Sequence, residues 1–78
     1  MMNMFERAIR HMERDPTRVY SLTELRVATG IALRSQYKLS QQLLASGMVE
    51  RARQQLVEGG PAVHGYRFKA YLFTVYHA

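Results

Sequence analysis

The sequence predicts an α+β fold, mainly α, with three helices followed by a C-terminal antiparallel hairpin of two or three strands. Three observations predict it. Residues 21–51, SLTELRVATGIALRSQYKLSQQLLASGMVER, contain a helix start, a glycine stop, a longer helical stretch and a second glycine stop. Residues 3–14 carry an apolar stripe at helical spacing, and residues 66–72 alternate apolar with polar side chains after a glycine-rich break. With 78 residues the expected organisation is one domain over 1–78. A chain of this size buries roughly 60% of its unfolded surface, so the core must be compact or completed by a second subunit. A hydrophobic fraction of 47% argues against disorder.

The first helix is expected over about 3–14. Met4, Ile9 and Met12, with Phe5 and Ala8, form its apolar stripe, and Glu6 and Arg10 stand one turn apart on the other side. Asp15-Pro16-Thr17 breaks it, because a proline disfavours helix in the residue before it. Val19-Tyr20 is short and apolar and suits a brief strand. Ser21 with Glu24 three residues on is a capping-box pattern, each side chain satisfying a free N–H at the helix start. Gly30 supplies the permissive backbone that ends this helix after about two turns. The longer helix ends at Gly47, so the two helices together cover about 21–46, and the hairpin occupies about 48–73. Met48-Val49 and residues 51–57 read as its first strand and Glu58-Gly59-Gly60-Pro61 as its loop. In the return strand Tyr66, Phe68, Ala70 and Leu72 share one face, with Arg67, Lys69 and Tyr71 on the other.

Helix, glycine turn and longer helix is the arrangement by which proteins present a helix to the DNA major groove. Thr23-Glu24-Leu25, Thr29-Gly30-Ile31 and Ser46-Gly47-Met48-Val49-Glu50-Arg51, with the distance from Gly30 to Gly47, resemble the helix-turn-helix of winged-helix DNA-binding domains. The match covers about thirty-one residues well and the wing more loosely, with moderate specificity because such patterns are short. The resemblance implies the second helix of the pair in the major groove and the hairpin as a wing on the phosphate backbone. The chain departs from the family at five positions. Arg26 stands where a small apolar residue is usual, and Gln36 and Ser40 where aliphatic residues are usual. Leu33 and Leu39 fall at positions that are commonly exposed, which implies either a rotated helix or an apolar outward face.

The formal net charge is +5 and is unevenly spread. Arg7, Arg10 and Arg14 balance Glu6, Glu13 and Asp15 over residues 1–17. Residues 18–46 set Arg18, Arg26, Arg34 and Lys38 against Glu24 alone, a net +3, and residues 47–78 set Arg51, Arg53, Arg67 and Lys69 against Glu50 and Glu58, a net +2. No acidic residue lies between Glu24 and Glu50. This suits a polyanionic partner, against the plainer reading of a solubility charge. Double-stranded DNA is therefore the expected partner, RNA being open on charge alone.

Arg34, Tyr37, Lys38 and Gln41 are candidate base-reading residues, since they share one side of the longer helix and arginine, lysine and glutamine match guanine and adenine edges. Ser35 joins them at its N-terminal end, placed for a phosphate or a base edge. Arg51, Arg53, His64, Arg67 and Lys69 on the hairpin, with Arg26, are the candidate phosphate contacts. The plainer readings are a solvated helix face with Tyr37 partly in the core, and cross-strand solubility charge. Among Tyr66, Phe68, Tyr71, Phe73 and Tyr76, core packing outweighs base stacking. The apolar run 71–76 suits docking on the first helix or a homodimer interface, and a homodimer is expected because specific binding by so small a module usually needs two half-sites. The competing function is a protein-interaction module that docks on a partner such as a polymerase or replication factor, motivated by Val27, Leu33 and Leu39 at outward positions.

Catalysis finds little support. His11, His64 and His77 lack metal-ligand spacing, Cys is absent, Asp15 is the single aspartate, and Gly59-Gly60 lacks the lysine and helix of a phosphate loop. No cofactor, metal or small-molecule substrate is expected. No apolar run reaches the roughly 20 residues of a membrane span, and the charged start does not suit a signal peptide. The expected location is the cytoplasm, on the nucleoid when DNA-bound.

Overall fold

The computed structural model describes residues 2–55 and 57–69. The expectations for Leu56 and for Ala70, Tyr71, Leu72, Phe73, Tyr76 and His77 lie outside them, as does the part of the hairpin expected beyond residue 69. The elements are α1 (Met4–Met12), α2 (Leu22–Thr29), a 3-10 turn (Leu33–Ser35) leading directly into α3 (Gln36–Ala45), β1 (Val49–Gln55) and β2 (Ala62–Phe68). The two strands are antiparallel, so the fold is the expected α+β arrangement of three helices and a hairpin.

Helix α1 starts where the Asn3 side chain accepts the Glu6 N–H at 2.8 Å, and it buries Ala8, Ile9 and Met12. It ends two residues earlier than the sequence suggests. Beyond Met12 the chain tightens into i→i−3 bonds, Arg14 N–H to His11 O and Asp15 N–H to Met12 O, each 3.3 Å, before Pro16 turns it away. Glu6 and Arg10 do not pair. Both are exposed, where an ion pair one turn apart gains too little to hold two long side chains.

The brief strand at Val19-Tyr20 is a single bridge. Tyr20 exchanges two 2.8 Å backbone hydrogen bonds with Tyr66, which places β2 between Tyr20 and β1. Gly65 allows this approach, because a Cβ there would lie 2.0 Å from the Tyr20 carbonyl oxygen.

Half of the expected capping box forms. Ser21 Oγ accepts the Glu24 N–H at 3.0 Å, but the Glu24 carboxylate turns to Arg18 and to His11 Nε2 instead of the Ser21 N–H. At the other end of α2, Gly30 is left-handed (φ 70°), with Ile31 N–H on Arg26 O at 3.0 Å and Gly30 N–H on Val27 O at 3.3 Å. These two bonds close a Schellman motif, which satisfies the last carbonyls of the helix.

Leu25, Leu39, Leu43, Met12, Val19, Tyr20 and Val49 are the largest fully buried side chains, and Ala8, Ile9, Ile31 and Tyr66 complete the described interior. Leu39 corrects the sequence reading. Of the two alternatives, a rotated helix or an apolar outward face, the first holds for Leu39. Read as an outward position for the docking module, it is 0% exposed, because α3 is turned to pack Leu39, Ser40 and Leu43 inward. Ser40 is thereby 8% exposed, and its hydroxyl lies 2.5 Å from the Tyr66 hydroxyl. Each hydroxyl satisfies the other in an apolar setting, which explains how a polar residue stands where an aliphatic one is usual. Removing one member should leave the other unsatisfied. We expect Ser40→Ala or Tyr66→Phe alone to cost about 1–3 kcal/mol in denaturant unfolding, and the double variant to cost less than the two together.

Candidate nucleic-acid interface

The 3-10 turn and the first turns of α3 present Arg34, Tyr37, Lys38 and Gln41 to solvent, with Ser35 half-buried at the junction. Tyr37 is 73% exposed and so is not part of the core. None of the four exposed side chains makes a hydrogen bond or ion pair among the described residues, and none has an acidic neighbour in sequence. Among the described residues, these cations and polar groups have no internal partner to compete for them.

Strand register sorts the hairpin cations. Arg51 pairs with Tyr66 and Arg53 with His64, so these residues share the face that carries buried Val49 at its base. That face looks toward α3, since Tyr66 reaches Ser40 from it. Farther out along it, Arg51, Arg53 and His64 are exposed. Arg67 pairs with Glu50 on the reverse face, which Lys69 shares by alternation, and both are half-buried. The basic strip read along adjacent strands is therefore two groups on opposite faces. The hairpin closes through a turn in which Gly60 N–H meets Val57 O at 2.9 Å and Gln55 Nε2 donates to Gly60 O at 2.7 Å. Leu22, Arg51, Ala52, His64, Gly65 and Tyr66 line a depression of about 410 Å³ between the start of α2 and the hairpin.

Arg26 differs from the other candidates. It is half-buried on α2, with its Nε enclosed and without a hydrogen-bond partner, so its guanidinium is only partly presented.

Sequence reasoning missed the cluster around Glu24. The Arg18 guanidinium bonds the Glu24 carboxylate and stacks over Tyr20, its carbon 4.1 Å from the ring centroid. His11 meets Glu24 at 3.2 Å and Tyr20 edge-on at 5.4 Å. Burial works against the charge of Arg18, but hydrogen bonding and Coulombic attraction from Tyr20 and Glu24 outweigh it and raise its pKa above the ordinary arginine value. The pairing also relocates the net charge. With Arg18 and Glu24 neutralising each other, the +3 of residues 18–46 resides on Arg26, Arg34 and Lys38. The signal available in sequence was that Glu24 is the sole acid in that stretch. Among the described residues no group of three or more His, Asp or Glu gathers as a metal site, and no helix is long and apolar enough to cross a membrane.

No protein-family model and no curated protein matches the sequence. Among solved structures, the fold is similar to that of a possible transcriptional regulator from Methanosarcina mazei Go1, with a TM-score of 0.65 and 13% identity. The similarity covers 97% of this chain and 62% of that one, so this chain spans less than two thirds of the regulator's length. At that identity the likeness is one of fold.

Proposed function

We propose that this chain is a small sequence-specific double-stranded DNA-binding protein acting in transcription regulation. In this reading it is a winged helix, with α3 in the major groove and the hairpin on the phosphate backbone. Arg34, Ser35, Tyr37, Lys38 and Gln41 read base edges, and Arg51, Arg53 and His64 hold the backbone on the same side. Arg67, Lys69 and Arg26 are secondary contacts, since they are half-buried or turned to the other face. The observation that supports it best is the solvent-facing row of Arg34, Lys38 and Gln41, unpaired among the described residues and in a stretch of sequence without a carboxylate, together with the exposed hairpin cations Arg51 and Arg53. The resemblance in fold to a possible transcriptional regulator agrees with it. The reading includes a single domain over 1–78 and a homodimer on two half-sites about one helical turn apart, joined through α1 and the apolar run 71–76.

A salt titration against duplex DNA tests it. Several phosphate contacts impose a steep linear fall of log affinity with log salt, and absence of binding at low salt would refute the reading. Arg34→Ala with Lys38→Ala should reduce affinity about tenfold or more per side chain without lowering Tm, since both side chains are exposed. An unchanged affinity would remove α3 from the groove. The second reading, a protein-docking module, is favoured by Val27 and Leu33, which are 63% and 67% exposed.

A further inference from the structure

Five large apolar side chains are exposed among the described residues, and three of them, Val27, Leu33 and Tyr37, belong to the helix-turn-helix. Leu33 and Tyr37 lie one helical turn apart, at the end of the helical run that enters the groove first if the proposed function holds. Their row adjoins a second row, Arg34, Lys38 and Gln41, so one surface carries an apolar edge and a cationic edge side by side. A purely electrostatic phosphate reader gains nothing from a leucine exposed at the entry of its helix.

The chemistry of the occupant must therefore be polyanionic and must also offer small apolar groups next to hydrogen-bond acceptors. The absence of acidic residues from 25 to 49 supplies the charge complementarity. In the major groove the apolar group of that kind is the C5-methyl of thymine, which is read by van der Waals contact while guanine N7 and O6 or thymine O4 are read by donors. We propose that Leu33 and Tyr37 are specificity-determining residues that select thymine methyl groups, so that the preferred duplex sets thymines beside the bases met by Arg34 and Lys38. This rests on the DNA-binding reading and names the class of site that α3 takes.

The test begins with the tightest duplex selected from a randomised pool. It is resynthesised with uracil replacing thymine at one position at a time, a change that removes one methyl group and leaves every hydrogen-bonding group in place. We expect affinity to fall about fourfold at each contacted thymine, the effect of exposing one buried methyl group. Leu33→Ala and Tyr37→Ala should abolish that uracil penalty at their own positions while leaving the salt slope unchanged. Arg34→Ala should weaken the thymine and uracil duplexes equally. A selected duplex that binds with no uracil penalty anywhere would overturn this proposal and leave the DNA-binding reading standing. A penalty that survives both alanine variants would overturn the assignment to Leu33 and Tyr37. Failure to bind any duplex at low salt would overturn both readings and turn this face over to a protein partner.

Discussion

Gly65→Ala should destabilise the protein by about 3 kcal/mol or more, read as a fall in the denaturant midpoint with little change in slope. The added methyl carbon would stand 2.0 Å from Tyr20 O, 2.6 Å from Tyr20 C and 2.8 Å from Ser21 Cα. All three are backbone atoms, so no side-chain rotation relieves the clash, and the Tyr20 strand must move. That movement breaks the two 2.8 Å bonds between Tyr20 and Tyr66. It also disturbs the Tyr20 ring, which is buried between Arg18 and His11 and donates its hydroxyl to Asp15 O at 3.2 Å. Gly30→Ala is the informative contrast. A Cβ at Gly30 meets nothing within 4 Å, and the cost there is that of a left-handed backbone (φ 70°), about 1 kcal/mol. If the two substitutions cost the same, close packing of Tyr20 on Gly65 is not what requires glycine at 65.

Leu39→Ala should cost about 3 kcal/mol, within the range for truncating a fully buried leucine. Leu33→Ala, the same change six residues earlier, should stay within about 0.5 kcal/mol because Leu33 lies mostly in water. The pair tests how α3 is rotated. A thermal or denaturant midpoint that Leu39→Ala left as unmoved as Leu33→Ala would place both leucines outward, the orientation the sequence resemblance suggests, and contradict the burial of Leu39.

Element boundaries were readable in advance where a residue acts on its own backbone. Ser21 caps α2, and Gly30 and Gly47 adopt the left-handed conformations (φ 70° and 75°) that close α2 and α3, whereas α1 stops at Met12, short of the break that Pro16 marks. Gly59 does the same in the hairpin turn (φ 76°). The candidate base-reading face was also readable, since Arg34, Tyr37, Lys38 and Gln41 are exposed together as helical spacing requires. Glu24 shows where local patterns fail. Three residues after a serine it reads as the second half of a capping box, but Arg18 and His11 offer the carboxylate charged or polar partners that a backbone N–H does not match. The hairpin cations fail similarly. Sequence alternation separates Arg67 and Lys69 from Tyr66, but only the pairing of Arg51 with Tyr66 and Glu50 with Arg67 tells which first-strand cations look toward α3.

Local chemistry alone settled where this chain bends, which stretches coil and where its cationic charge lies, because backbone torsions and formal charge belong to single residues and near neighbours. Packing decided which way α3 turns. Its apolar residues, Tyr37, Leu39, Leu43 and Leu44, with Leu33 in the 3-10 turn before it, are scattered around the helix, so periodicity names no single inner side. The choice falls to distant surfaces from α1, α2 and β1, which enclose Leu39 and Leu43 and leave Leu33 and Tyr37 outside. Burial is a property of two surfaces that meet, and one of them is always elsewhere in the chain.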